Sequence, residues 1–535
     1  MAKYLIAVGG TGMRCLESFV HLCAIGMLDN EEINILIIDT DHDNGNKSRT
    51  VDLIENYKKI KSNNNTNGVS LQDSFFSAVI NDYKFIPTYK TSMDTFELIK
   101  GPSVNVADTD LNQDLANLFF EDETQKFNLE HGYRAQTHLG SYLMYHEIID
   151  EVKRRQDGAA VGGVKVNDLT AFIEKLGGDN NAKIFILGSI FGGTGASSIP
   201  IIPRAFRKAS QVLNIKLDDI MFGSTLLSEY FTFNSPNNNQ INAQKIIAKA
   251  NSFRLNSQAA LMYYDTNNTV KKDYQQFYMI GWPEDSINLT KVKGTVVTGG
   301  SKQLNPAHIV ELLSAFAAYD FFKSKDAYNE IIHDWQFRSV EKDETTDKLK
   351  FDFADLIGGN ETKRFKQKLT AFFSMSLMLN NEYAKVDSKK AFLTFYNTIN
   401  QNRIKGAISS VESEALDSYI KYFAFYYDHK GEKVVSGWLF QVRKSSKSDS
   451  FLFDQASFSE EYKDLISIEW ADILPGYHFA ERTFWQKTTG QNGSFDTFSQ
   501  KMQKNTNPGF GNIPKANEKL LKWIYDTYSK VLKVT

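Results

Sequence analysis

Ile186-Leu187-Gly188-Ser189-Ile190-Phe191-Gly192-Gly193-Thr194-Gly195-Ala196-Ser197-Ser198 runs from an apolar stretch through a glycine-rich turn into small hydroxyl residues. The apolar part reaches back to Ile184. A continuous apolar run of this length fits a strand covered on both faces. Glycines placed just after such a strand let backbone N–H groups approach a phosphate, and a helix starting there adds positive dipole. Thr194, Ser197 and Ser198 add hydroxyl donors near the helix start. The turn is not a Walker A loop, because no Gly-Lys-Ser/Thr occurs in the chain. Nor is it a Gly-x-Ser-x-Gly elbow, since Ser189 directly follows Gly188.

The same arrangement recurs near the start. Residues 4–8 are apolar, Gly9-Gly10-Thr11-Gly12 follows, and residues 13–26 carry helical spacing. Ile33-Asn34-Ile35-Leu36-Ile37-Ile38 is another buried strand, ending at Asp39. Residues 219–227 are a fourth. Strands separated by helices predict a parallel sheet with both faces covered. Two glycine turns at the carboxyl ends of its strands would face one crevice. Asn-rich stretches at 62–68 and 234–240, and the glycines at 158 and 162–163, read as surface excursions. Residues 305–322 form an apolar helix with Pro306 in its first turn, which predicts a buried central helix. Beyond about residue 360, helical stretches dominate (363–383, 411–427, 516–534), with a strand-like piece at 433–442. Leu521, Ile524, Tyr528 and Val531 share one stripe of the last helix, which requires a surface to dock on. The expected organisation is a nucleotide-binding domain with its central helix over 1–325, a linker over 326–360, and a mainly helical α+β domain over 361–535.

The chain has 535 residues, 42% hydrophobic and 23% charged, with a net charge of −3. This is ordinary globular composition, with no basic excess pointing to nucleic acid or a membrane surface. Cys15 and Cys23 fall eight residues apart in one predicted helix, about 12 Å along its axis, too far for a bridge within it. Reduced cysteines, an opening apolar run that meets Gly9 too early for a signal peptide, and no stretch approaching a membrane span suggest a cytoplasmic setting. His131, His138 and His146 lack ligand spacing, so no histidine metal site is expected. The aromatic run at 419–427 reads as a core helix face rather than a base-stacking platform.

Gly192-Gly193-Thr194-Gly195-Ala196-Ser197, between strand and helix, resembles the signature loop of the tubulin/FtsZ family, which wraps the phosphates of GTP. The family pattern has glycine where this chain has Phe191, and again where it has Ser197. The resemblance implies the family's Rossmann-like α/β fold with a parallel sheet and a long central helix. It also implies a phosphate-binding first turn at Gly10, Thr11 and Gly12, and an acidic turn at Asp39 and Asp41 near the nucleotide and Mg2+. Residues 132–140, with Arg134, take the place of a γ-phosphate-sensing loop, and Asn305 that of a base-contacting asparagine. An asparagine amide offers both donor and acceptor to a purine edge. Phe351-Asp352-Phe353-Ala354-Asp355-Leu356 is similar to the family's catalytic loop, with Lys350 replacing an asparagine. There Asp352 and Asp355 would act on the GTP of a neighbouring subunit. The resemblance covers residues 1–360. It implies GTP/GDP as ligand, self-association into filaments, and turnover coupled to assembly. The helical C-terminal part is then a candidate surface for protein partners.

Two other readings compete. Gly10-x-Gly12 followed by Asp39 and Asp41 partly matches a dinucleotide fingerprint for NAD, with Cys15 at its third glycine position. A scaffold that binds nucleotide without turning it over is the other. A plain tight turn at Gly9–Gly12, and a helix start capped by Asp352 or Asp355, are the bland alternatives for the individual motifs.

Overall fold

The computed structural model describes residues 2–41, 44–61, 74–87, 117–121, 132–133, 136–159, 168–179, 182–217, 220–231, 252–281, 307–324, 336–338, 341–342, 349–350, 354–381, 410–423, 426–427, 433–434 and 516–532, with single positions including 303 and 305. Its centre is one sheet of β1 (Lys3–Val8), β2 (Glu32–Ile38), β3 (Val79–Phe85), β4 (Lys183–Leu187), β5 (Met221–Leu227), β6 (Gln276–Ile280) and β7 (Gln336–Arg338). The strand order is β3-β2-β1-β4-β5-β6-β7. Every pairing in it is parallel. From β1 the chain winds outward through β2 and β3, then returns to lay β4 on the other side of β1. That reversal is the topological switch point of a Rossmann-like α/β sheet, where ligands enter at the carboxyl ends of the strands.

Alternation along the strands feeds two cores. In β1, Leu5 and Ala7 enter one cluster, and Tyr4, Ile6 and Val8 enter the other. The first cluster is built with α1 (Gly9–Ala24), α2 (Gly45–Ile60) and the central helix α9 (Ile309–Lys323). The second takes α3 (Thr137–Ala159), α4 (Asp168–Gly177), α6 (Ile202–Val212), α7 (Phe253–Thr266) and α8 (Asn268–Asp273). The short α5 (Thr194–Ser198) precedes α6. Helix α9 is apolar nearly all round, with Leu312, Ala315, Phe316, Ala318 and Phe321 fully buried. Each large apolar side chain so buried contributes about 1.5–3 kcal/mol.

The C-terminal helices join the first core directly. Phe365, Leu369 and Phe372 of α10 (Ala354–Asn381), Leu416 and Tyr419 of α11 (Ser410–Phe423), and Trp523 and Ile524 of α12 (Ala516–Leu532) all belong to it. The Tyr419 hydroxyl donates to the Leu53 carbonyl of α2 at 2.8 Å. Of the stripe expected on the last helix, Leu521, Ile524 and Tyr528 are buried. Gly358, at φ +78°, breaks α10 after its first turn.

Three differences from the sequence reading have local causes. Helix α1 begins at Gly9, whose φ of +67° lets the chain turn straight from β1 into the helix. Helix α9 begins at Ile309, because His308 caps it. The His308 ring nitrogen accepts from the Val310 N–H at 3.2 Å, and Glu311 accepts from the His308 N–H at 3.0 Å. Asn305 therefore stands in the segment ahead of the helix. Strands β3, β6 and β7 were not anticipated. In β3, Asn81, Asp82, Tyr83 and Lys84 interrupt the apolar pattern, since an edge strand tolerates polar residues. Most of the strand-like piece at 433–442 lies outside the described residues; Lys433–Val434 pairs antiparallel with Tyr426–Tyr427.

Candidate functional site

Strands β1 and β4 are neighbours, with Ala7 opposite Leu187. Their glycine turns therefore emerge side by side, and they interlock. A Cβ on Gly9 would sit 3.1 Å from Thr194 Cβ. A Cβ on Gly12 would overlap the Leu187 carbonyl oxygen and lie 3.2 Å from the Ala7 carbonyl carbon. On the other turn, a Cβ on Gly195 would lie 2.7 Å from the Ser189 carbonyl oxygen. Glycine at 12 and 195 is what lets the backbones close. Gly10, Thr11, Gly192 and Gly193 are left partly exposed around the crevice. Neither α1 nor α5 has a side-chain cap at its start, so backbone N–H groups remain for an anion there.

The β2 end closes one side. The Thr40 and Thr194 hydroxyls are 3.1 Å apart and share a hydrogen bond. Asp39 and Asp41 are buried, and the Asp41 N–H donates to Asp39 Oδ1 at 3.1 Å. Lys47 Nζ donates to the Asp41 carbonyl at 2.5 Å. Asn44 caps α2 by accepting from the N–H groups of Asn46 and Lys47 at 2.9 and 3.3 Å. Its amide nitrogen would lie 2.8 Å from a Cβ on Gly10.

Residues 132–133 reach the same place. A Cβ on Gly132 (φ +77°) would lie 3.2 Å from the Thr40 hydroxyl and 3.5 Å from that of Thr194. Tyr133 is buried, and burial, then Glu147 and Asp39, push its phenol well above the ordinary value, so it is neutral. Arg134, proposed for this loop, lies outside the described residues, as does Asp352.

The two departures from the family loop have visible roles. Phe191 packs into an aromatic cluster, with ring centroids 4.7 Å from Phe253, 5.6 Å from Phe231 and 6.2 Å from Tyr230. The Ser197 hydroxyl donates to the Gly193 carbonyl at 2.8 Å, and its backbone carbonyl accepts from Ser141 at 2.7 Å. Ser197 and Ala196 are thus packed behind the turn, both buried, while Gly192, Gly193 and Thr194 form its front.

Asn305 is buried beside α2. Its N–H donates to Asn46 Oδ1 at 3.0 Å, and its carbonyl accepts from Arg49 Nη1 at 2.7 Å. Below it, Arg14 of α1 pairs with Glu311 of α9, and the Tyr230 hydroxyl donates to Glu311 at 2.8 Å. Burial raises the Glu311 carboxyl and Arg14 draws it back. His308 is held well below its ordinary value by burial and by Arg14, which matches a ring nitrogen that accepts a hydrogen bond.

Asp355 is exposed in the first turn of α10, whose Leu356 and Ile357 are buried in the first core. Soon after it, Glu361 accepts from the Tyr319 hydroxyl, and Arg364 donates to the Met27 carbonyl at 3.0 Å and to Asp29 at 2.6 Å. Tyr319 is near the far end of α9, whose last residues meet Lys183 at the start of β4. The 15 residues of α9 span about 22 Å. Beyond the Gly358 break, α10 is anchored at the amino-terminal end of the sheet, opposite the glycine turns, and Asp355 precedes that break. Asn44 and Gln303, which line or support the crevice, were missed by the sequence reading, while Thr40 and Gly132 fall inside its acidic turn and its 132–140 loop. The one usable signal was Asn44, a cap residue just before a helix.

No protein-family model matches the chain, and no curated protein matches it in sequence. Among solved structures it is similar to a GTPγS-bound protofilament of CetZ2 from Haloferax volcanii. The identity is 13% and the TM-score 0.24; the match covers 60% of this chain and 58% of that one, so it spans under two thirds of that protein. The fold assignment rests on the strand order itself. Among the described residues, no helix is long and apolar enough to cross a membrane.

Proposed function

We propose that this chain binds GTP in the crevice between its two glycine turns and assembles head to tail, with a neighbouring molecule completing the hydrolytic site. The supporting observation is the interlock at the switch point. Two uncapped turns are locked together by Gly9, Gly12, Thr194 and Gly195, and Gly10, Thr11, Gly192 and Gly193 are partly exposed. That is the shape of a backbone cradle for phosphates. Mg2+ typically takes one or two carboxylates and otherwise phosphate or water oxygens. Asp39 and Asp41 could supply such ligands, and the nucleotide the rest.

The exposure of Asp355 supports action between molecules. The part of α10 beyond the Gly358 break is tied to the amino-terminal end of the sheet, away from the crevice, which favours the nucleotide of a neighbour stacked on that end. Carboxylates brought there would orient the attacking water. A contact between unlike faces that does not close on itself yields a filament. The C-terminal helices would remain available to other partners.

Phosphate release from GTP, measured over a range of protein concentrations, tests the reading. Specific activity that rises above a threshold concentration is expected. Activity independent of concentration would remove the role of the neighbour. Asp355→Ala should lower turnover about 100-fold and leave GTP binding intact; equal loss of both would sink the assignment. Asp39 at the end of β2 also suits the ribose of a dinucleotide. Identification of the nucleotide carried by the purified protein separates guanine nucleotide from NAD(H).

A further inference from the structure

Large apolar side chains that stand singly in solvent are ordinary; gathered on anchored backbone they mark a contact surface. Of the exposed large apolar residues among the described ones, all but Ile86 fall in two patches. The first is a short turn at 117–120, ahead of α3. Phe120 is buried there, its ring stacked on His138 at 5.3 Å and tilted against Tyr142 at 6.0 Å. That anchor presents Leu118 and Phe119 outward, 74% and 67% exposed. The second patch is the outer face of α7. Leu255, Ala259 and Met262 follow one another at helical spacing with Tyr263 beside them, and all four are exposed. The inner face of α7 is pinned. Asn256 Nδ2 donates to the Phe191 carbonyl at 3.2 Å, the Ser257 hydroxyl to Glu229 at 2.7 Å, and the Tyr264 hydroxyl to the Ala196 carbonyl at 3.2 Å. The helix therefore cannot roll its apolar stripe inward.

The two patches complement each other in form and in charge. One is a knob of two side chains; the other is a stripe about two helical turns long. The knob runs on in sequence into Glu121-Asp122-Glu123, and Glu121 is exposed. On the side of the stripe, Asp265 is paired with Lys271 at 2.7 Å, and Asp273 is held by Arg204 and Arg207. Arg254 and Lys272, both exposed, give that side a positive excess. We propose that a second copy of this chain covers both patches: the 117–120 knob of one molecule packs on the α7 stripe of the next. The patches are unlike, so the contact is heterologous, and a pair keeps one knob and one stripe free for further copies. It is separate from the stacking on the ends of the sheet proposed above, and it needs no nucleotide.

Sedimentation of the full chain over a range of concentrations, in EDTA and without nucleotide, tests it. The variants are the pair Leu118→Ser with Phe119→Ser, and the pair Leu255→Gln with Met262→Gln. All four positions are exposed, so these changes leave the fold intact. Wild type should associate, and each double variant should associate at least about tenfold more weakly. Higher salt should weaken the wild-type contact. An equal mixture of the two double variants should form a one-to-one complex, because each brings the patch the other has lost. Wild type that stays monomeric up to its solubility limit overturns the inference and leaves the patches to a different protein. Association unchanged in both variants also overturns it, as does a mixture that forms no complex. None of these outcomes bears on nucleotide binding, so failure here leaves that reading standing.

Discussion

The first and second glycine turns look alike in sequence and are built for different tasks. In the first, the glycines are demanded by backbone. Gly9 sits at φ +67°, and Gly12 is pressed against Leu187 and Ala7. The helix it starts runs sixteen residues through the core and ties down through Arg14 to the central helix. In the second, Gly195 is similarly pressed against Ser189, but a Cβ on Gly192 would meet only the Ser189 hydroxyl at 3.3 Å. Helix α5 then ends after five residues. The first turn is chiefly an anchor with an opening beside it; the second is chiefly the opening. A cluster of glycines therefore states that backbone comes close to something, and only the surroundings of each Cβ say whether that something is the protein itself or a ligand.

The largest effect is expected where the anchor is attacked. Gly12→Ala forces a methyl into the Leu187 carbonyl and should cost about 3 kcal/mol, the upper range for overpacking. Chemical denaturation measures this, and a loss under about 1 kcal/mol would mean the two turns do not interlock as described. Acid should loosen the same anchor by a smaller amount. His21, on α1, is pushed down to about 3 by burial, with Arg49 adding to it against the hydrogen bond to the Glu17 carbonyl. Below about pH 6.5 the unfolded chain takes up a proton that the native His21 refuses, so stability falls as pH falls, by about 1.4 kcal/mol per unit. From pH 6.5 to pH 5 the loss is about 2 kcal/mol, and His308, also depressed, acts in the same direction. Urea melts at the two pH values check it. In His21→Asn, which keeps a donor toward Glu17, the loss should shrink; equal stability at both pH values would show that His21 is not held neutral. Helix α5, Thr-Gly-Ala-Ser-Ser, carries no titrating group, so the second turn has no counterpart to this sensitivity.

How much of this was legible in sequence follows from how local each cause is. β1, β2, β4 and β5 are short apolar runs ending at glycine or a polar turn, and they could be read directly. β3 could not, because as an edge strand it carries Asp82 and Lys84 where a buried strand would carry apolar residues. The start of α9 was misplaced by four residues because Asn305-Pro306 is a common helix opening. His308 capping depends on a ring nitrogen and on Glu311 three residues on, which few histidines offer. At the site, Gly10, Thr11, Gly12, Gly192, Gly193, Thr194 and Gly195 announced themselves by spacing. Asn44 and Gln303 did not, because their nearness to the turns comes from tertiary folding of segments far apart in the chain, whereas Thr40 and Gly132 stood inside the acidic turn and the 132–140 loop.

The sharpest contrast between the turns carries the smallest structural effect. Gly192 lies outside the left-handed region, and a methyl there would meet only the Ser189 hydroxyl, at 3.3 Å, a side-chain atom that can turn aside, so Gly192→Ala should leave stability within about 0.5 kcal/mol of the parent. If the second turn is an opening for phosphate, the same methyl stands where a ligand must approach backbone N–H groups. Losing one charge-assisted hydrogen bond of that kind costs about 1.5 kcal/mol, or about tenfold in GTP affinity. Calorimetric titration beside a urea melt reads both quantities on one preparation. Unchanged stability with weakened binding separates aperture from anchor. Unchanged stability with unchanged binding would mean that Gly192 faces solvent only, and the phosphate cradle would then have to be sought at Gly10 and Thr11 alone.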